Sequence, residues 1–189
     1  MKNIALTRVQ SMQAYIPPVA RSTFAGLCLD SNERMGPMSA VVRKAIVSFL
    51  RNKTVQTYPE YGELERAIGT YANVSYDCVM ATSGSDQAIS LVFRTFTDAG
   101  DTVIIPSPTF SMYAIAAQAC GNSVRLPAYR DEPLIFPADE VRESITKKTK
   151  LIVICNPNNP TGTLTPIPVI ERIAKKAPGA IVLVDEAYV

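Results

Sequence analysis

Two uninterrupted apolar runs, Leu151-Ile152-Val153-Ile154 and Ile181-Val182-Leu183-Val184, constrain the fold of this chain more than any other feature. A strand that is apolar at every position has to be covered on both faces, as happens when helices flank a parallel sheet. The sequence supplies those helices. Val41, Val42, Ala45, Ile46, Phe49 and Leu50 recur at helical spacing, as do Leu64, Ile68 and Tyr71. From Cys78 short apolar runs and helical stretches alternate. Strands are predicted at 78–81, 102–105, 123–126 (the weakest), 151–154 and 181–184. Between them lie a helix bearing Ala88, Ile89, Val92 and Phe96 and further helices near 113–119, 140–145 and 167–177. This order predicts an α/β fold in three layers, α/β/α, around a mainly parallel sheet. Residues 1 to about 35 carry Pro17-Pro18 and little periodicity, and read as an extended arm. The closing Asp185-Glu186-Ala187-Tyr188-Val189 follows a buried strand with no covering helix, so the expectation is a domain that is incomplete at residue 189.

The absence of histidine narrows the chemistry. It excludes Ser-His-Asp and Cys-His triads, histidine-ligated metals and imidazole acid-base work within this sequence. Four cysteines, Cys28, Cys78, Cys120 and Cys155, form no CxxC pair, so no metal site or redox motif is expected. Cys78 and Cys155 sit in apolar runs and read as buried thiols of a cytoplasmic protein. A net charge of +2 with scattered lysines and arginines gives no reason to expect a nucleic-acid surface. Lys147-Lys148 and Lys175-Lys176 fall near predicted helix ends, where cations complement the helix dipole. No apolar run approaches the ~20 residues that span a bilayer, and residues 1–10 lack the apolar stretch of a signal peptide.

Ligands of open parallel sheets bind beyond the carboxyl ends of the strands. Four polar or aromatic clusters follow the apolar runs: Thr82-Ser83-Gly84-Ser85-Asp86, Pro106 to Phe110, Asn156 to Gly162, and Asp185 to Tyr188. Each also has a plainer reading. Ser83 and Asp86 can form a capping box, while the free amides of the same helix start can hold a phosphate. Phe110 is either core or a flat face for an aromatic ligand ring. Asn159, between two prolines, is a turn residue or an amide aimed at a ligand. Asp185 ends an apolar strand and needs a cationic or donor partner; the sequence shows no obvious one nearby, and a ligand cation would serve.

Taken together, TSGSDQAI, PSPTFSMY, NPNNPTG and VDEAY resemble the fold-type I pyridoxal-phosphate (PLP) aminotransferases. Leu29 to Glu33 (LDSNE), TYPEYG and GSD narrow the resemblance to the histidinol-phosphate aminotransferase subgroup. The similarity runs from about Leu29 to the end. It implies an N-terminal arm at 1–35, a helical segment of a small domain with its linker at 36–75, and the first part of a large cofactor domain at 76–189. It implies that Gly84, Ser85 and Asp86 meet the cofactor phosphate and that Phe110 stacks on the pyridine ring. Asn159 and Tyr188 would hydrogen-bond the phenolate oxygen, and Asp185 would pair with the ring nitrogen. Tyr58 would reach the phosphate in the partner subunit of a homodimer. Asp185, Tyr188 and Asn159 are thus the candidate catalytic residues, with no metal. Arg34-Met35 departs from the subgroup, which has Asn-Pro there. The Schiff-base lysine of the family lies beyond residue 189, which implies that these residues alone are inactive.

The function implied is amino-group transfer from an amino acid or amino phosphate to a 2-oxoacid. Histidinol phosphate with 2-oxoglutarate, in histidine biosynthesis, is the leading pair. A PLP lyase of the same fold, such as a threonine-phosphate decarboxylase, uses the same cofactor residues, and a non-catalytic PLP-binding or dimerising half-chain is the reading from another class. A nucleotide-binding Rossmann domain fits poorly, because no GxGxxG follows the first strand.

Overall fold

The computed structural model describes residues 4–13, 26, 31–34, 36–52, 55–130 and 134–189. Pro17, Pro18, Cys28, Leu29, Asp30 and Met35, used in the sequence reading, lie outside them. In chain order the helices are α1 (Thr7–Gln10), α2 (Ala40–Asn52), α3 (Gly62–Ala72), α4 (Gly84–Phe96), α5 (Met112–Cys120), α6 (Ala138–Ser144) and α7 (Ile167–Lys176). The strands are β1 (Thr102–Ile104), β2 (Ser123–Arg125), β3 (Thr149–Cys155) and β4 (Ile181–Asp185). The chain divides into two compact units, one of residues 4–13 with 82–189 and one within residues 14–81.

The larger unit is the predicted α/β layer structure. Its strands are ordered β2-β1-β3-β4, and every adjacent pair is parallel. Side chains alternate across a strand, so β3 sends Leu151, Val153 and Cys155 to one face and Ile152 and Ile154 to the other. The first face packs with Ile89 and Phe93 of α4 and Tyr113 and Ala117 of α5. The second packs with Val141 of α6 and Ile173 of α7, joined by Tyr129 and Phe136. Both faces of β3 are therefore dry, which accounts for its run of apolar residues. Each such large side chain contributes about 1.5–3 kcal/mol by burial. β4 is only half-buried although its sequence reads like β3, because it ends the strand order and lacks a further neighbour among the described residues.

Two local expectations are corrected. Residues 78–81 do not form a strand. Tyr76–Cys78 is a 3₁₀ turn, the residues after it join no sheet, and Met80 is 66% exposed. A strand needs a neighbour to take its backbone hydrogen bonds, and this run pairs with none of the four strands. Cys78 is accordingly exposed, whereas Cys155 is buried as expected. The second correction concerns residues 4–13, read as part of an extended arm. They contain the helical turn α1, and the Arg8 Nε–H donates to the Ala119 carbonyl near the end of α5 at 2.9 Å. That carbonyl belongs to the last turn of α5, where helix geometry leaves acceptors unfilled.

The smaller unit holds α2 and α3. Glu63 and Glu65 occupy the first turn of α3, where carboxylates complement the dipole, and Asn73 ends it in the left-handed conformation. The α2 positions singled out from the sequence are helical, but none is buried within this unit.

Candidate active site

The site is built at the carboxyl edge of the sheet, from the loops after β1, β3 and β4 and from the start of α4. Helix α4 packs against the sheet and leads into β1 through the short turn at 97–101, so it runs antiparallel to that strand. Its N-terminus therefore lies toward the carboxyl edge. Gly84, Ser85 and Asp86 form its first turn, whose amides have no acceptor within the helix. Gly84 has φ +70°, a region that glycine enters freely, and the space where a Cβ would sit is open. The capping box is not formed: Ser83 makes no side-chain cap, and its own N–H donates to Gln87 Oε1. Gln87 lies one position beyond Asp86 and reaches back in its place. The Gly84 N–H donates to the Thr82 carbonyl at 2.9 Å, which leaves the Ser85 and Asp86 amides as those of the first turn without an acceptor in the helix.

Asp185 closes β4 opposite Cys155 of β3. The sequence shows no neighbour for its carboxylate, yet the fold brings one from 72 residues away. Tyr113 Oη donates to Asp185 Oδ2 at 2.7 Å, and the Ala187 N–H donates to Oδ1 at 3.1 Å. Both donors are neutral, so the carboxylate is hydrogen-bonded but its charge is not compensated by any described side chain. Tyr113 is fully buried in the first turn of α5, edge-on to Phe110 with centroids 5.8 Å apart and rings at 86°. Burial is the main cause that pushes its hydroxyl far above the ordinary tyrosine value; its interactions with Cys155 and Asp185 add to the shift. Tyr113 thus keeps its hydroxyl hydrogen. Phe110 is itself partly exposed at this edge.

The three asparagines of the loop after β3 have three different tasks. Asn156 ties the loop to its own end: its Oδ1 accepts from the Thr165 N–H at 2.7 Å, and its Nδ2 donates to the Thr165 carbonyl at 3.3 Å. Asn158 is 2% exposed and joins two loops. Its Nδ2 donates to the Pro108 carbonyl at 3.0 Å and to Thr161 Oγ1 at 2.9 Å, while Thr109 Oγ1 donates to its Oδ1 at 2.7 Å. Asn159 faces outward, its Nδ2 donating to Tyr188 Oη at 3.2 Å. The structure therefore brings Asn159 and Tyr188 together, as it does Phe110 and, through Tyr113, Asp185. Tyr58 belongs to the smaller unit and is fully exposed.

Tyr113, Thr109 and Asn158 were not singled out from the sequence. A signal for Tyr113 existed. It sits one helical turn after Phe110 in a helix otherwise rich in alanine, where a buried hydroxyl needs a partner. The described lysines of the larger unit lie elsewhere: Lys147, Lys150 and Lys176 line a hollow at the amino edge, and Lys148 and Lys175 adjoin them. Among the described residues no cluster of metal-ligating side chains occurs, and no helix is long and apolar enough to cross a membrane.

Comparison with known proteins agrees with this geometry. The profile of the family described as aminotransferase class I and II matches residues 26–189. The histidinol-phosphate aminotransferase of Ruminiclostridium cellulolyticum is 32% identical over 182 residues, covering 94% of this chain and 51% of the relative. Histidinol-phosphate aminotransferase 1 of Archaeoglobus fulgidus is 40% identical over 152 residues, 77% of this chain and 46% of the relative. Among solved structures, a tetra mutant of Thermus thermophilus aspartate aminotransferase superimposes with TM-score 0.81 at 27% identity, covering 97% of this chain and 50% of that one. The chain spans about half the length of the curated relatives it matches. With its parallel sheet, its carboxyl-edge loops and these relatives, the chain belongs to the class I and II aminotransferases.

Proposed function

We propose that the protein is a PLP-dependent aminotransferase that passes the amino group of histidinol phosphate to 2-oxoglutarate, working in the cytoplasm as a homodimer in histidine biosynthesis. The observation that carries this reading is Asp185. A half-buried carboxylate at a sheet's ligand edge, bonded only to neutral donors among the described residues, suits a cationic ring nitrogen and leaves a negative charge for it. The surrounding donor set fits the rest of the cofactor. The amides of Ser85 and Asp86 would receive the phosphate over the open approach that Gly84 leaves, Phe110 would lie against the ring, and the Asn159–Tyr188 pair would meet the ring oxygen. When bound, PLP supplies an electron sink for the charge that develops at the substrate Cα.

The chain's own part is to hold and to polarise. Asp185 would favour positive charge on the ring nitrogen, and Tyr188 and Asn159 would supply hydroxyl and amide hydrogens to the ring oxygen. Asn158 makes the loops bearing Phe110 and Asn159 one rigid frame, which favours a fixed ring position. The substrate assignment rests on relatives named histidinol-phosphate aminotransferase that are 32% and 40% identical. The domain division at 1–35, 36–75 and 76–189 and the contact of Tyr58 with the partner subunit's phosphate site belong to the same proposal.

The full-length protein, loaded with PLP, is to be offered histidinol phosphate, aspartate, alanine and threonine phosphate in turn, with 2-oxoglutarate. Glutamate formation with a kcat/KM for histidinol phosphate at least ~100-fold above the other amines is the expected result. Preference for another amine overturns the substrate, and carbon dioxide release without glutamate overturns transfer itself.

A further inference from the structure

Asp185 has to do two things at once if it holds a cationic ring: stay in one place and stay negative. A lysine or arginine beside it would fix its position but neutralise the charge meant for the ligand. The structure resolves this conflict with a hydroxyl. Tyr113 donates to Oδ2 at 2.7 Å and brings no charge. Each carboxylate oxygen can accept more than one hydrogen bond, so Oδ1 and Oδ2 retain acceptor capacity beyond Ala187 and Tyr113. The donor itself cannot swing away. Its ring is fully buried in the core cluster that also holds Ile89, Phe93, Val103 and Ala117, and it is braced edge-on by Phe110.

We propose that Tyr113 is a positioning residue for Asp185, a buried neutral donor that holds the carboxylate in line with the cofactor ring while leaving its charge for the ring nitrogen. The proposal rests on the reading of Asp185 as the partner of that nitrogen. It explains why a tyrosine is buried whole in an alanine-rich helix, where phenylalanine would pack as well without needing a partner. It also couples two parts of the site. Phe110, expected against the ring face, touches the same tyrosine that fixes Asp185, so ring stacking and ring-nitrogen pairing are set by one side chain.

The test uses the full-length protein as wild type, Tyr113→Phe and Asp185→Asn. PLP affinity is measured by equilibrium titration. The protonation of the ring nitrogen is read from the 15N resonance of labelled PLP at saturation, where a general loss of stability does not shift it. Tyr113→Phe keeps the ring and its packing and removes only the hydroxyl. It is expected to weaken PLP binding about tenfold, in line with loss of a hydrogen bond to a charged group. The resonance should move part of the way toward the unprotonated position, with Asp185→Asn moving it further. If Asp185→Asn shifts both readouts and Tyr113→Phe leaves both at wild type, the positioning role is wrong and the reading of Asp185 stands. If Asp185→Asn shifts neither, that reading falls and the role of Tyr113 falls with it.

Discussion

Replacing Asp185 by asparagine is the most informative single change, because the structure indicates what it leaves intact. The Ala187 N–H can only donate, so it holds the asparagine oxygen at the Oδ1 position. The amide nitrogen then takes the Oδ2 position and faces Tyr113, whose hydroxyl oxygen can turn and accept. Both existing hydrogen bonds keep a complementary partner, and the volume is unchanged. Folding stability should therefore shift by no more than about 1 kcal/mol, the scale of one neutral hydrogen bond. A cationic ring nitrogen fares differently, since it loses the negative charge and meets a donor in place of an acceptor. A charge-assisted hydrogen bond is worth about 1.5–3 kcal/mol, which at 1.36 kcal/mol per decade is roughly 10- to 150-fold in PLP affinity. The effect on turnover should be at least ~100-fold, because the same charge sustains the electron sink as negative charge builds at Cα. Chemical denaturation, PLP titration and single-turnover kinetics on the full-length protein measure the three quantities. A variant that turns over within a factor of three of wild type would refute the role assigned to Asp185, and one that fails to fold would refute the account of its hydrogen bonds.

Four further outcomes are expected. If Tyr58 acts across a dimer, mixing Tyr58→Phe with Asp185→Asn subunits restores one intact site in each mixed dimer, so activity returns; a mixture no more active than its parents places Tyr58 in its own subunit's site. Asn158→Ala should cost about 2–4 kcal/mol in denaturant unfolding, since three hydrogen bonds are lost and the Thr109 hydroxyl and Pro108 carbonyl lose their partner; a loss under about 0.5 kcal/mol would show that the two loops are not joined through it. Borohydride treatment of the PLP-loaded protein should label none of Lys147, Lys148, Lys150, Lys175 or Lys176, which sit at the wrong edge of the sheet, and peptide mass mapping finding PLP on any of them would reverse the orientation proposed for the site. Tyr113 and Tyr129 are both raised above the ordinary value of 10.0, burial being the first cause, so their contribution to stability is complete below about pH 10 and declines above it as the unfolded chain releases those protons; Tyr113→Phe should flatten that decline above about pH 10, and an unchanged slope would contradict it.

The layer structure was legible because β3 and the helices around it obey one simple requirement, dry contact on both faces, and Leu151 to Ile154 display it without interruption. Residues 78–81 misled for a related reason. Apolar character marks a segment as able to be buried, but a strand also needs a neighbour for its backbone, and that neighbour is a property of the whole sheet. The loops of the site were legible as clusters, since polar residues gather after each apolar run. Their internal wiring was not. Asn156, Asn158 and Asn159 are the same residue type within four positions, and only the fold separates the loop brace, the buried joint and the outward amide. The partner of Asp185 lies on a helix from an earlier crossover, a pairing set by parallel connections and not by distance along the chain.

The Asn158 joint also bears on how the chain can drift over generations. Thr109, Thr161 and Asn158 satisfy one another, so a valine accepted at 109 would strand the Asn158 Oδ1 in a site that water does not reach. A change at 158 alone would strand the Thr109 hydroxyl in turn. Neighbours that share a hydrogen-bond network are not independent in their energetic effects. The loops after β1 and β3 are therefore constrained to vary as a pair, and a sequence altered in one of them should carry its compensation some fifty residues away, at the far end of a 2.7 Å bond.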